Sequence, residues 1–128
     1  MKINWFRKDS EEKVEEQEWE IGEPKGRLRG LTGLYAGAEI DLNAGKILIG
    51  RDSGRANLVY DDSCTKVSRK HCELSYDGQK KIFFIVDYSS TGTFKNGSSD
   101  CLPQNMPIPL EPGVVINIGD ETNQFILE

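Results

Sequence analysis

After Arg27 the chain breaks into short apolar runs, most of four to eight residues, each closed by a turn signal. The runs are LRGLTGLYAG, AEIDL, KILIGR, NLVY, HCELSY, KIFFIVDY, TFKNG, VVINIGD and NQFILE, and several are dominated by β-branched or aromatic residues. No helical period persists for twelve residues, while thirteen glycines and five prolines supply breaks. Short strands with turns every eight to twelve residues pack as a sandwich or a barrel, so the fold class is all-β. The dipeptides Asp77-Gly78 and Asn96-Gly97 are hairpin-turn signals. In HCELSY, alternation puts Cys72, Leu74 and Tyr76 on the core face and His71, Glu73 and Ser75 on the other. IFFIVDY shows little alternation, which predicts a strand covered on both faces. The proline-rich stretch SSDCLPQNMPIPLEPG reads as a loop with edge-strand character, because proline cannot donate to a ladder.

A chain of 128 residues suits one domain with modest extras. Residues 1–25 carry eight acidic and five basic side chains, and the segment is poor in apolar residues. Such a segment buries too little surface to offset its ordering entropy, so it reads as a mobile acidic extension ahead of a domain over residues 26–128. Asp9 or Ser10 suits a helix cap, but Glu11 with Glu15 and Glu12 with Glu16 repel at helical spacing. Trp5, Phe6 and Trp19 are the exceptions and suit docking points on the body or a partner. A net charge of −5 argues against non-specific nucleic-acid binding, which needs a basic face. No apolar run approaches the roughly 20 residues of a membrane span, and the first residues do not read as a secretory signal. Three cysteines, Cys64, Cys72 and Cys101, then read as reduced thiols in a cytoplasmic protein.

The stretch TKVSRKHCEL, residues 65–74, holds the only histidine, His71, three residues after Ser68. A serine nucleophile with a histidine base also needs an orienting acid and an oxyanion hole, and no nucleophile elbow is present. A metal site drawing on Cys64, His71, Cys72 and Cys101 fails because His71 and Cys72 point to opposite faces of one strand and no C-x-x-C pair exists. Neither a metal nor a cofactor is therefore expected. Elsewhere, ILIGRDSG ends a strand on Gly50-Arg51, and DYSSTGTFKNG is rich in hydroxyls. Together the loops offer Arg51, Thr65, Lys66, Ser68, Arg69, Ser90 and Thr91 as donors. Such a set suits an anion with several acceptor oxygens, and it also suits ordinary polar loops on a β-sandwich.

The order of Gly50-Arg51, then Ser68-Arg69-Lys70-His71, then the stretch SSTGTFKNG over residues 89–97 resembles the forkhead-associated (FHA) domain family. The resemblance covers about residues 26–128 and implies an antiparallel, FHA/SMAD-like β-sandwich that binds phosphothreonine peptides with loops at one end. It implies that Arg51 and Ser68 hold the phosphate, that Thr65 adds a contact, and that Ser90 touches the phosphothreonine region. Thr91 stands where the family usually has an asparagine that bonds the peptide backbone, and Arg69 also replaces a common asparagine. Gly50, His71, Asn96 and Gly97 are implied to support the loops, with a neutral His71 ring joining two backbone segments. The expected function is a non-catalytic adaptor for a phosphothreonine protein from another chain, downstream of a Ser/Thr kinase, with neither nucleic acid nor membrane as partner. The alternative is an FHA fold kept as a phosphate-independent assembly module.

Overall fold

The computed structural model describes residues 23–128. The greater part of the acidic extension, with Trp5, Phe6, Ser10 and Trp19, lies outside the described residues. Among the described residues ten strands follow one another: β1 (Arg27–Gly30), β2 (Glu39–Asp41), β3 (Ile47–Gly50), β4 (Leu58–Val59), β5 (Cys72–Asp77), β6 (Ile82–Asp87), β7 (Thr93–Lys95), β8 (Ile108–Leu110), β9 (Val115–Ile118) and β10 (Gln124–Leu127). They form two five-stranded sheets, ordered β2-β1-β10-β9-β7 and β4-β3-β5-β6-β8. Every ladder is antiparallel except that between β3 and β4. The fold is thus the all-β sandwich that the run lengths predict.

Period-two alternation builds the core. Leu28, Ile116, Ile118, Phe125 and Leu127 of the first sheet, and Ile49, Cys72, Leu74, Phe83 and Ile85 of the second, are fully buried. Each large apolar side chain so buried contributes about 1.5–3 kcal/mol from its removal from water. Tyr76 packs at the margin of this cluster, tilted on Phe83 with ring centroids 4.7 Å apart. The chain closes at one margin, where Glu128 accepts from Arg27 Nε and Arg29 Nε, each at 2.9 Å. These guanidinium donors hold the Glu128 carboxyl below the usual carboxylate range.

Two expectations need correction. β6 is not covered on both faces: Phe83, Ile85 and Asp87 are buried, whereas Ile82, Phe84 and Val86 keep partial exposure. Its outward residues are large and apolar, which hides the alternation in the letters. Asn96-Gly97 does not join two neighbouring strands of one sheet. β7 pairs with β9, and the turn only folds back far enough to bridge Phe94 to Cys101. Asp77-Gly78 does open the β5–β6 hairpin, and the proline-rich stretch supplies β8 at a sheet edge, with Pro109 opposite Phe84.

Candidate functional site

Strand register brings the polar loops to one edge of the sandwich. Ile49 pairs with Cys72 and Cys72 with Asp87, so the end of β3, the start of β5 and the end of β6 lie side by side. Thr93 pairs with Ile118, which sets the start of β7 beside the end of β9. The connections at this edge are residues 51–57, 60–71, 88–92 and 119–123.

Gly50 lets the first two connections touch. Its backbone lies so near the following loop that a β-carbon would stand 2.0 Å from the Arg69 carbonyl oxygen. The Arg51 and Asp52 N–H groups donate to the Ser68 and Arg69 carbonyls, both at 3.1 Å. Gly119 performs the same service opposite, where a β-carbon would meet the Lys66 carbonyl oxygen at 2.1 Å.

His71 ties the loops together. The ring is fully buried. Its Nδ1 accepts from the Ser68 N–H at 3.0 Å, and Nε2 lies 3.0 Å from the Gly92 carbonyl oxygen. An acceptor at Nδ1 leaves the proton on Nε2, so the ring is the neutral Nε2–H tautomer and donates to Gly92. Burial pushes its pKa below the ordinary value, against the smaller opposing effect of the Gly92 carbonyl. Both ring nitrogens are used on backbone groups, so His71 is not placed as a base toward the Ser68 hydroxyl. The neighbouring Cys72 thiol is buried in the core, and that burial pushes its pKa strongly up. Among the described residues no group of three or more His, Cys, Asp or Glu side chains is placed to hold a metal ion.

Around this brace stand the expected donors. Ser68 Oγ accepts from the Ser90 N–H at 3.1 Å and lies 3.3 Å from Ser90 Oγ, so two loop hydroxyls sit side by side. Arg51 is oriented by its Nε, which donates to the Val67 carbonyl at 2.5 Å, and its Nη1 lies 3.3 Å from Asp62 Oδ1. A guanidinium has five N–H donors; with these two engaged, three remain without a partner among the described residues. Thr65 and Arg69 are exposed on the same loop as Ser68. Lys70 lies 4.0 Å from the centroid of the Tyr88 ring. Thr91 Oγ1 donates to the Lys66 carbonyl at 2.6 Å, so its one proton is committed between loops. Asn96 and Gly97 stand apart from this cluster. The Asn96 N–H and side chain bond Val115 and Gln124, because β7 carries the chain about 10 Å away from the loop edge.

Several residues of the edge carry no signal in the letters. Ser89 Oγ accepts from the Gly92 N–H at 2.8 Å, and Gln104 Nε2 donates to the Ser89 carbonyl from a distant loop. Gly119 N–H donates to the Gly92 carbonyl at 3.0 Å. Asp62 reaches Arg51 only because residues 60–71 fold back over the end of β3.

A two-sheet sandwich with one edge of polar loops, tied through a single buried histidine, defines the class. A model of the FHA domain matches residues 47–119, from β3 to the glycine that follows β9, and the chain belongs to the FHA domain family. It is 32% identical over 85 residues to the transcriptional activator FHA1 of Nicotiana tabacum, covering 63% of this chain and 40% of that protein. The chain thus spans two-fifths of that relative's length. The solved FHA domain of an Arabidopsis thaliana hypothetical protein is similar with a TM-score of 0.63 at 26% identity, covering 89% of this chain and 92% of the other. The MEK1 FHA domain in complex with a HOP1 phosphothreonine peptide is similar with a TM-score of 0.61, covering 80% and 94% of the two chains. At 18% identity that last likeness is one of fold.

Proposed function

We propose that residues 26–128 form a phosphothreonine-reading adaptor, and that residues 1–25 are an extension outside the reading unit. One observation carries this: among the described residues Arg51 keeps three donors without a partner, and the same loop edge, braced by His71, carries the paired hydroxyls of Ser68 and Ser90. A phosphate of charge about −1.5 to −2 offers acceptors for such a set, and an unphosphorylated threonine leaves the donors unpaired. Membership of a family of phosphopeptide-binding modules supports the reading.

In this reading Arg51 and Ser68 hold the phosphate, Ser90 and Thr65 line the phosphothreonine, and Arg69 reaches the phosphate or an acidic neighbour. Thr91 serves the loops through Lys66, and the peptide backbone loses the amide partner that asparagine gives in the family. The ligand is a protein from another chain, phosphorylated by a Ser/Thr kinase, and the domain performs no catalysis. Its unpaired thiols suit a reducing, cytoplasmic setting. The test is a phosphothreonine peptide library and its unphosphorylated copy against the wild type and Ser68→Ala. Selection of phosphorylated members by the wild type, weakened in Ser68→Ala, supports the proposal. Equal capture of both libraries favours phosphate-independent assembly.

A further inference from the structure

Resting on that reading, we propose that Asp62 is a built-in competitor of the phosphate for Arg51 and so sets the affinity threshold of the site. Asp62 Oδ1 lies 3.3 Å from Arg51 Nη1, and the Asp62 side chain is 88% exposed while that of Arg51 is 21% exposed. The Arg51 Nε–H is spent on the Val67 carbonyl, which fixes the plane of the guanidinium. The hydrogens left to an incoming anion are one on Nη1 and two on Nη2, and the Asp62 carboxylate stands next to them at Nη1. Among the described residues that carboxylate is held by Arg51 alone, whereas the neighbouring Asp61 accepts from the Ser63 N–H and hydroxyl.

An anion that takes Arg51 must either displace this carboxylate or bind beside it. Displacement removes the same ion-pair energy from every ligand. Ligands with few contacts, such as a carboxylate or free phosphate, then fall below useful affinity, while a phosphothreonine peptide with many contacts stays above it. Binding beside the carboxylate adds repulsion, which grows with the charge of the ligand. Both routes make Asp62 oppose binding, although it sits inside a site otherwise lined with donors. An exposed ion pair is worth little in absolute terms, and its strength corresponds to at most about a five-fold change in affinity.

The experiment titrates one phosphothreonine peptide from the library, and separately inorganic phosphate, against the full chain at low and high salt. The proteins are the wild type, Asp62→Asn, Asp62→Ala, Asp61→Asn and Arg51→Ala. Both Asp62 variants are expected to bind the peptide about two- to five-fold more tightly at low salt, with the gain shrinking at high salt. Inorganic phosphate binding should tighten in the same direction. Asp61→Asn changes the net charge equally without touching Arg51, and it should produce a smaller gain. Unchanged or weaker binding in the Asp62 variants overturns the proposal, and so does an equal gain in Asp61→Asn, which reports a general field. Arg51→Ala separates the two readings. Full peptide binding without Arg51 sinks the phosphate-reading function itself, whereas lost binding there with no gain in the Asp62 variants sinks only the competitor.

Discussion

His71→Ala should lower stability and binding together. The change removes a fully buried ring that accepts from the Ser68 N–H and donates to the Gly92 carbonyl, each at 3.0 Å. Gly92 O keeps the Gly119 N–H as a donor, so the acceptor is not orphaned, but the Ser68 N–H loses its partner. Two lost hydrogen bonds contribute about 1–3 kcal/mol, and the cavity left by the ring adds to that. The expected loss is about 2–4 kcal/mol, which lowers Tm by roughly 10 °C or more in a domain of this size. Ser68 is then free to drift from Ser90 and Arg51, and phosphopeptide affinity should fall about ten-fold or more, equivalent to a loss of about 1.4 kcal/mol or more. Urea unfolding followed by circular dichroism gives the first quantity, and calorimetric titration of a phosphothreonine peptide gives the second. Unchanged stability with lost binding refutes the reasoning, because it places the imidazole against the ligand.

Gly50→Ala should cost about 1–3 kcal/mol of stability and loosen the site, since its β-carbon would stand 2.0 Å from the Arg69 carbonyl oxygen; a wild-type melting curve contradicts this. The buried, neutral His71 makes stability depend on pH. Its folded pKa lies below the ordinary 6.5, so just below pH 6.5 the unfolded chain binds the extra proton and stability falls as pH falls. The slope is at most about 1.4 kcal/mol per pH unit until the folded pKa is passed, and it dies away over about one pH unit above 6.5. His71 is the only histidine, so a slope of the same size between pH 5 and 6.5 in His71→Gln contradicts the assignment. Deleting residues 1–24 should leave phosphopeptide affinity unchanged, or slightly raised at low salt, as acidic screening of Lys66, Arg69 and Lys70 is removed over a Debye length of about 8 Å. A clear loss on deletion instead places Trp5 or Trp19 in the binding surface.

The sandwich was legible in the letters because strand length, turn residues and alternation are local signals. Cys72 and Leu74 face the core as their alternation requires, and Pro109 marks an edge strand as its missing donor requires. β6 misled because Ile82, Phe84 and Val86 face outward with apolar side chains, and composition alone does not tell an outer apolar face from an inner one. The candidate site was legible where its residues flank strand ends, as Gly50, Arg51 and His71 do. It was illegible where a bond spans many residues. Thr91 with Lys66 and Ser89 with Gln104 pair across loops whose meeting is set by sheet register, which no short window encodes. Asn96 sits close in sequence to the loop of Ser90, yet the strand between them carries it to another part of the sheet.

The most direct test is the affinity of one phosphothreonine peptide for the wild type and for Arg51→Ala, with the unphosphorylated peptide as reference. In the proposed reading Arg51, directly after the end of β3, supplies a charge-assisted bond to the phosphate. Its removal should cost about 1.5–3 kcal/mol of binding, a ten- to 150-fold loss, while the fold survives. Unchanged affinity in a folded Arg51→Ala, or equal binding of both peptides by the wild type, contradicts the account.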